Sequence, residues 1–187
     1  MRKYLLPLSL VVFSSTSVVQ AKVSPIIQFG FGMGGDKVAS ATYTNGDTDD
    51  LTTAGGISFE GGVAIGSGNK LETQLLGGYK FDSTSAKNGD ITMSRFYLSA
   101  IEMYRFGKVA VGAGVTYHLT PELSSSGDAS GIKADFKSAV GPIVQAAYNF
   151  KKGYAVGLKA TILDYKVEGS GEKLKAKGAD LFLSYKF

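Results

Sequence analysis

The sequence predicts an all-β protein, an eight-stranded antiparallel up-and-down transmembrane β-barrel. Three observations lead to this fold class. The 187-residue chain contains 25 Gly, 10 Tyr and 11 Phe but 4 Pro, which is unlike a disordered or a helical protein. After residue 21, segments repeat in which every second residue is apolar. None of these contains the run of about 20 apolar residues that a membrane-spanning helix needs, so membrane insertion would use strands.

The first 21 residues have the three parts of a secretory signal peptide. A basic start and an apolar centre over residues 4–13 precede Val19 and Ala21, which have the short side chains of a cleavage site. The apolar centre is too short to span about 30 Å of hydrocarbon. We therefore expect cleavage after Ala21 and a barrel that comprises residues 22–187.

Composition and charge exclude several kinds of function. The chain has no Cys and one His, His118, which excludes thiolate chemistry, disulfides and histidine-rich metal sites. Its 20 basic and 16 acidic residues form no basic run, so no nucleic-acid partner is expected. The acidic stretch 45–50 resembles a calcium loop but lacks the required glycine and glutamate. We expect no metal site and no cofactor.

Eight segments alternate with connections of unequal length. A segment of about ten residues would rise roughly 25 Å as a tilted strand, which matches the apolar band of an outer-membrane barrel. Short connections alternate with longer ones, and this alternation places the short turns and both termini on the periplasmic side. The segments cover residues 27–33, 57–65, 71–82, 93–105, 109–118, 136–149, 154–162 and 179–187. The longer connections cover residues 36–54, 83–90, 119–135 and 168–175.

The first three segments each have an apolar face and a face of small or charged residues. Segment one sets Ile27, Phe29, Phe31 and Met33 against Gln28, Gly30 and Gly32; segment two sets Ile57, Phe59, Val63 and Ile65 against Ser58, Glu60 and Ala64; segment three sets Leu71, Leu75, Tyr79 and Phe81 against Glu72, Gln74, Lys80 and Asp82. The small residues suit the inside of a narrow barrel better than the solvated face of a soluble sandwich, the alternative fold.

The fourth segment, residues 93–105, is ambiguous because both of its faces carry apolar residues. In one register Phe96 and Glu102 face lipid. In the other, Glu102 is internal, and Arg95 and Arg105 face outward near the strand ends. Because a charge on the lipid face of a barrel costs free energy, we expect Glu102 to be internal. The residues then expected to face outward are Tyr97, Ser99, Ile101 and Met103.

Segments five to eight, like the first three, each have an apolar face and a face of mainly small or charged residues. Segment five sets Val109, Val111, Val115 and Tyr117 against Ala110, Gly112, Gly114, Thr116 and His118; segment six sets Phe136, Val140, Val144 and Tyr148 against Lys137, Gly141, Gln145 and Asn149; segment seven sets Tyr154, Val156, Leu158 and Ile162 against Gly157, Lys159 and Thr161; segment eight sets Leu181, Leu183, Tyr185 and Phe187 against Asp180, Phe182, Ser184 and Lys186.

The signal peptide, the eight segments and the closing run over residues 181–187 resemble the small eight-stranded outer-membrane β-barrel proteins of Gram-negative bacteria. The resemblance covers the chain from residue 22 onward and implies location in the cell outer membrane. Within that class, the closing pattern resembles the signal that the barrel-assembly machinery reads. Its alternating residues are Leu181, Leu183, Tyr185 and Phe187.

The inward faces carry charges of both signs. The lumen of an eight-stranded barrel is just wide enough to be filled by side chains, so these charges are expected to neutralise one another and to plug the lumen. The expected lumen charge network consists of Glu60, Glu72, Lys80, Asp82, Glu102, His118, Lys137, Lys159, Asp180 and Lys186.

We predict a monomeric barrel with a structural or surface-interaction role, no catalytic residue, and contacts with outer-membrane lipids and lipopolysaccharide. The first alternative is a lipid A-modifying hydrolase or acyltransferase that uses His118, the only candidate general base. The phase of segment five points His118 into the lumen, away from such a substrate. The second alternative is a narrow passage for small solutes.

Overall fold

The described residues form eleven β-strands, and the alternation of apolar side chains continues through the long ones. The computed structural model describes residues 21–42, 48–67, 70–86, 89–126 and 133–187. The predicted signal peptide lies outside these residues apart from Ala21. Across the described ranges, no helix is long and apolar enough to cross a membrane. The strands are β1 (Lys22–Gly34), β2 (Lys37–Thr42), β3 (Thr48–Thr52), β4 (Gly56–Ser67), β5 (Leu71–Ala86), β6 (Gly89–Phe106), β7 (Val109–Ser125), β8 (Ala134–Lys137), β9 (Ala139–Lys151), β10 (Tyr154–Val167) and β11 (Lys173–Lys186).

Eight strands pair in the ring β1-β4-β5-β6-β7-β9-β10-β11, and β11 returns to β1. All pairings in the ring are antiparallel. Strands that are neighbours in the ring also follow one another along the chain, which confirms the predicted up-and-down barrel. Closure satisfies the backbone hydrogen bonds of both sheet edges, as a sheet that crosses lipid requires.

The two ends of the barrel differ in their connections. The connections after β4, β6 and β9 are short, and we call this end the turn end. At the opposite, loop end the wall continues as strand: β5 runs to Ala86, β7 runs to Ser125, and β8 pairs with both β7 and β10. β2 and β3 form a separate hairpin. The structure thus corrects the expected connections 36–54, 83–90 and 119–135, which contain polar strands without the apolar face that reveals a lipid-facing strand.

Outward side chains form an apolar band around the ring. Aromatic residues meet across neighbouring strands within it, with ring centroids 5.1 Å apart for Phe29 and Phe59 and 4.8 Å apart for Tyr79 and Phe96. The facing expected for segments one, two, three, five, seven and eight is confirmed. Residues of the band that are 42–62% exposed include Ile27, Phe29, Phe31, Phe59, Leu75, Phe96, Leu98, Val111, Val115, Val144, Leu158, Ile162, Leu181 and Leu183.

The fourth segment faces the opposite way from the expectation. Glu102 points outward, and its carboxylate accepts a hydrogen bond of 2.6 Å from the Thr73 hydroxyl. Arg95 is internal and 3% exposed, and Arg105 lies 3.8 Å from Glu72, which faces inward. Glu102 lies near the end of β6 at the turn end of the barrel, close to the membrane interface. The observed register therefore exposes one acidic residue there, whereas the opposite register would expose Arg95 and Arg105. The inward residues are Tyr97, Ser99, Ile101 and Met103.

Two breaks in the alternation lie side by side near the loop end. On β7 the register shifts at Thr120, which has a positive φ of 28°, so that two residues oppose one residue of β6 in a β-bulge. Ser138 separates β8 from β9, and its hydroxyl accepts a hydrogen bond from the Thr120 N–H at 3.2 Å. Beyond the break, Phe136 is buried and Lys137 points outward. The expectation that Lys137 lies in the lumen is therefore wrong.

The register of β6 can be tested with single cysteines, because the natural chain has none. A nitroxide label on Ala100→Cys should collide with oxygen dissolved in lipid, whereas one on Ser99→Cys should be shielded, because these positions face opposite sides of the barrel wall. Electron paramagnetic resonance in bilayers measures both accessibilities, with Ala113→Cys on β7 as an outward reference. Higher oxygen accessibility at position 99 than at position 100 would contradict the register.

Candidate functional site in the barrel interior

The interior is arranged in three layers along the barrel axis. A cavity occupies the turn end, two buried ion pairs cross the middle, and an apolar cluster occupies the loop end. Each inward side chain comes from every second residue of a strand, so eight strands deliver their side chains into one narrow space. The chemistry of the interior is therefore set by pairs that meet across it.

Lys159 of β10 forms the more deeply buried ion pair. Its Nζ donates to both carboxylate oxygens of Glu60, at 2.5 and 2.7 Å, and to Gln28 Oε1 at 3.1 Å. The side chains of Lys159 and Glu60 are both 4% exposed. Gln28 and Glu60 stand directly opposite each other on β1 and β4, so the sheet offers two neighbouring acceptors to one ammonium group. Such complete pairing offsets the cost of removing both charges from water.

A second ion pair joins Lys80 of β5 to Asp180 of β11. Their side chains are 7% and 11% exposed. Gly32 of β1 stands opposite Asp180 in the β1–β11 register. A side chain at position 32 would overlap both the Lys80 ammonium and the Asp180 carboxylate. Glycine at this position therefore provides the space in which the ion pair forms.

His118 lies inside the barrel, next to two tyrosines. It is 6% exposed, and its Nδ1 is 2.6 Å from the Tyr165 hydroxyl. The Tyr97 ring stacks on the imidazole with a centroid distance of 5.2 Å. In the described part of the chain, no serine hydroxyl or carboxylate is hydrogen-bonded to His118. A β-bulge before His118 would have turned its side chain toward lipid. The bulge of β7 lies at Thr120, after the histidine, so the His118 side chain still points into the lumen.

The turn-end cavity has a volume of about 360 Å³ and is lined by charged, polar and apolar residues. Glu72 interacts there with Lys186, with Arg105 at 3.8 Å, and with Gln74, whose amide donates to the carboxylate at 2.9 Å. The Gln145 amide in turn donates to Gln74 Oε1 at 3.3 Å. A chain of polar contacts thus runs from the rim of the barrel toward its centre.

The loop-end cluster is an apolar core built from five strands and the β2–β3 hairpin. Both ends of the hairpin are fixed to β11: after it, Thr53 Oγ1 donates to the Lys175 carbonyl at 2.7 Å, and before it, Asp36 Oδ2 accepts from the Lys175 N–H at 2.8 Å. Thr53 is itself fully buried. The hairpin is therefore part of the folded barrel. The buried residues of the cluster are Leu51, Met93, Leu123, Phe136, Leu163, Tyr165 and Ala176.

A polar contact on the outside of the hairpin links its two strands. Lys37 Nζ lies 2.8 Å from Asp50 Oδ2, and the Ser40 hydroxyl donates to Asp50 Oδ1 at 2.6 Å. The hydrogen bonds from Lys37 and then Ser40 lower the pKa of Asp50 below its ordinary value. Asp50 therefore stays ionised to lower pH than an isolated aspartate.

The structure brings together six of the ten charged residues expected in the lumen. They form the pairs Glu60–Lys159, Lys80–Asp180 and Glu72–Lys186. His118 is internal but makes its contacts with tyrosines, and Asp82 is half-buried beside Gly55. Glu102 and Lys137 point outward. Sequence reasoning missed Arg95 and Arg105, and only the facing of β6 could have revealed them.

Comparison with known proteins points to one family. A family model described as Outer membrane protein beta-barrel domain matches residues 7–187. No curated protein matches the sequence.

Several solved structures are similar to the chain. Ail, the attachment invasion locus protein of Yersinia pestis in complex with the heparin analogue sucrose octasulfate, is 11% identical, with 88% of this chain and 97% of that chain covered and a TM-score of 0.48. Neisserial surface protein A is 14% identical, with 89% and 97% covered and a TM-score of 0.46. A major outer membrane protein from Thermus thermophilus is 12% identical, with 88% and 99% covered and a TM-score of 0.43.

Lys159→Ala should destabilise the barrel by about 3–5 kcal/mol, because Glu60 would remain buried without its cation. Urea unfolding in detergent micelles measures this loss. The double variant Lys159→Met with Glu60→Gln should recover part of it, because neither charge remains. Lys186→Ala is the control: its side chain is 28% exposed, so the loss should be about 1 kcal/mol. An unchanged free energy of unfolding for Lys159→Ala would indicate a hydrated lumen and favour a solute passage.

Proposed function

The chain belongs to the outer membrane protein β-barrel domain family, and we propose that it is a surface-interaction protein that holds lipopolysaccharide against its wall. The observation that carries this proposal is a group of outward lysines beyond the apolar band, which we call the lysine patch. The loop end, which bears the patch, would face the cell exterior, because outer-membrane barrels keep their longer loops there. The lysine patch consists of Lys137, Lys166, Lys173, Lys175 and Lys177.

Three lysines of the patch stand in one row across three strands. Lys166 of β10 is directly opposite Lys137 of β8 on one side and Lys173 of β11 on the other. All three are exposed. Side chains directly opposite in a sheet have Cβ atoms about 5 Å apart, and like charges at that distance destabilise the pairing. An anionic surface that lies against such a row would offset this repulsion.

The depth of the lysine patch fits the headgroup region of a membrane. Lys177 stands opposite Ile162, which is 53% exposed and belongs to the apolar band. Lys175 and Lys173 follow on the same face of β11, each two residues further from the band. The patch therefore begins where the band ends. Lipopolysaccharide carries its lipid A phosphates at this depth of the outer leaflet, within reach of lysine side chains.

The protein's own carboxylates do not neutralise the patch. In the described part of the chain, none of its five lysines forms a salt bridge. The same wall and the turn between β10 and β11 carry four exposed carboxylates, so an excess of one positive charge remains. Positive charge beside an anionic lipid surface contributes about 1 kcal/mol per lysine. The carboxylates are Asp135, Asp164, Glu168 and Glu172.

The interior supports a role that depends on the outer surface and not on passage or catalysis. We propose that the buried pairs of Lys159 and Lys80, together with the loop-end cluster, plug the lumen. His118 would serve this packing through its contact with Tyr165. A lipid A-modifying enzyme would need the imidazole at the lipid face, and the enclosed position of His118 speaks against that alternative.

The alternating residues at the end of β11 support a proposed route into the membrane. Leu181 and Leu183 are 53% and 50% exposed on the lipid face, and Phe187 is 64% exposed. The Phe187 ring packs edge-on against Tyr185, with centroids 4.8 Å apart. We propose that these four residues form the segment that the barrel-assembly machinery recognises, and that the inserted barrel acts as a monomer.

Replacing three lysines of the patch should weaken lipopolysaccharide binding. The triple variant Lys137→Gln, Lys166→Gln and Lys173→Gln should lose about 3 kcal/mol, or roughly 100-fold in affinity. Binding of the purified barrel to lipopolysaccharide micelles measures the change, with dephosphorylated lipid A as the second ligand. The matched control replaces Lys108, Lys151 and Lys152 at the turn end by glutamine. Equal affinity of the two triple variants would refute the proposal.

His118→Asn should leave lipid A unchanged if His118 has a packing role. Mass spectra of lipid A would be compared among cells that produce the natural protein, cells that produce His118→Asn and cells that produce neither, and all three are expected to agree. An acyl chain removed or added only where the natural protein is present would establish the enzymatic alternative.

A further inference from the structure

Arg95 is a buried cation without an ionic partner in the described part of the chain. The residue is 3% exposed, and its Nε and Nη1 have no hydrogen-bond partner. Guanidinium cannot lose its proton in a protein and has no acceptor atoms. Every other buried basic side chain of the central layer has a carboxylate partner: Lys80 binds Asp180, and Lys159 binds Glu60. Among the described residues of the central layer, Arg95 therefore differs from the buried lysines in having no carboxylate partner.

A small cavity lies beside Arg95. Its volume is about 20 Å³, and its lining includes Arg95, His118 and both central ion pairs. A cavity needs about 10–15 Å³ to hold one water molecule. A chloride or bromide ion is somewhat larger than a water molecule, whereas phosphate and sulfate are several times larger than water. The space therefore admits one water molecule or one halide ion and excludes oxyanions.

The charges around the cavity favour an anion over water. Three basic side chains line it, those of Arg95, Lys80 and Lys159, against two carboxylates, those of Glu60 and Asp180. One positive charge is thus left over in a region where buried charges need compensation. The imidazole of His118 also lines the cavity, but its Nδ1 is already hydrogen-bonded to the Tyr165 hydroxyl.

We propose that the cavity beside Arg95 binds one halide ion, chloride under physiological conditions, through Nε and Nη1 of Arg95. The ion completes the neutralisation of the central layer. It occupies a site that is independent of the lysine patch, so the two proposals can fail separately.

The position of the cavity sets how the ion reaches it. The loop-end cluster lies on one side, with Tyr165 and Ala176 lining both the cluster and the cavity. The ion pair of Lys159 and Glu60 lies on the other side. The halide is therefore taken up during folding or on local opening of the cluster, and experiments must supply it while the protein refolds.

Halide dependence of stability tests the site. The protein would be refolded from urea into detergent micelles at one ionic strength, with sodium chloride, sodium bromide or sodium gluconate, since gluconate is too large for the cavity. Chloride at about 100 times its dissociation constant should raise the folding equilibrium constant about 100-fold over gluconate. Arg95→Met should abolish this dependence. Arg105→Met is the matched control, because Arg105 lies on the same strand but faces Glu72 at the turn end, and it should retain the dependence.

Crystals of the natural protein grown in bromide provide a second measurement, which holds even if Arg95→Met does not refold. An anomalous peak within hydrogen-bond distance of Arg95 would support the proposal. A cavity peak without anomalous signal, or equal stability of the natural protein in chloride and gluconate, would show that water occupies the cavity and would overturn it.

Discussion

The requirement that every backbone amide in lipid find a hydrogen-bond partner governs this structure. A sheet meets it only by closing, and closure with eight strands leaves an interior that side chains alone can fill. Small residues at inward positions follow from that width. Gly32 is one example, because the pair of Lys80 and Asp180 occupies the space that a side chain there would take. The buried charges must then meet across the lumen, which accounts for the pairs of the central layer.

The alternation of apolar residues was sufficient to predict the barrel and the facing of most strands, because lipid contact imposes a period of two on every crossing strand. The fourth segment failed because Tyr97, Ile101 and Met103 are inward yet apolar, so neither face of β6 looked polar. The charge of Glu102 then pointed to the wrong face. The free energy cost of exposing the Glu102 carboxylate on the lipid face depends on how close the residue lies to the turn end of the strand, as well as on its charge.

Within the candidate site, the sequence identified the members of three ion pairs but not which residues pair. Pairing depends on register and on the reach of side chains across the lumen, and neither is visible in one strand. Lys137 was misplaced because Ser138 inserts one residue into the alternation, and nothing in the local sequence marks it as extra. Arg95 was overlooked for a related reason: its facing depends on β6 as a whole.

The adjacent irregularities at Thr120 and Ser138 divide two neighbouring parts of the wall, β7 and the run of β8 and β9, into stretches whose inward and outward positions are set independently. A change of one residue in a single strand would normally exchange its two faces throughout. Here, the exchange is confined to the wall beyond the hydrogen bond between these residues. In these strands, the stretch beyond the irregularities can therefore change in evolution without altering which residues nearer the turn end meet lipid.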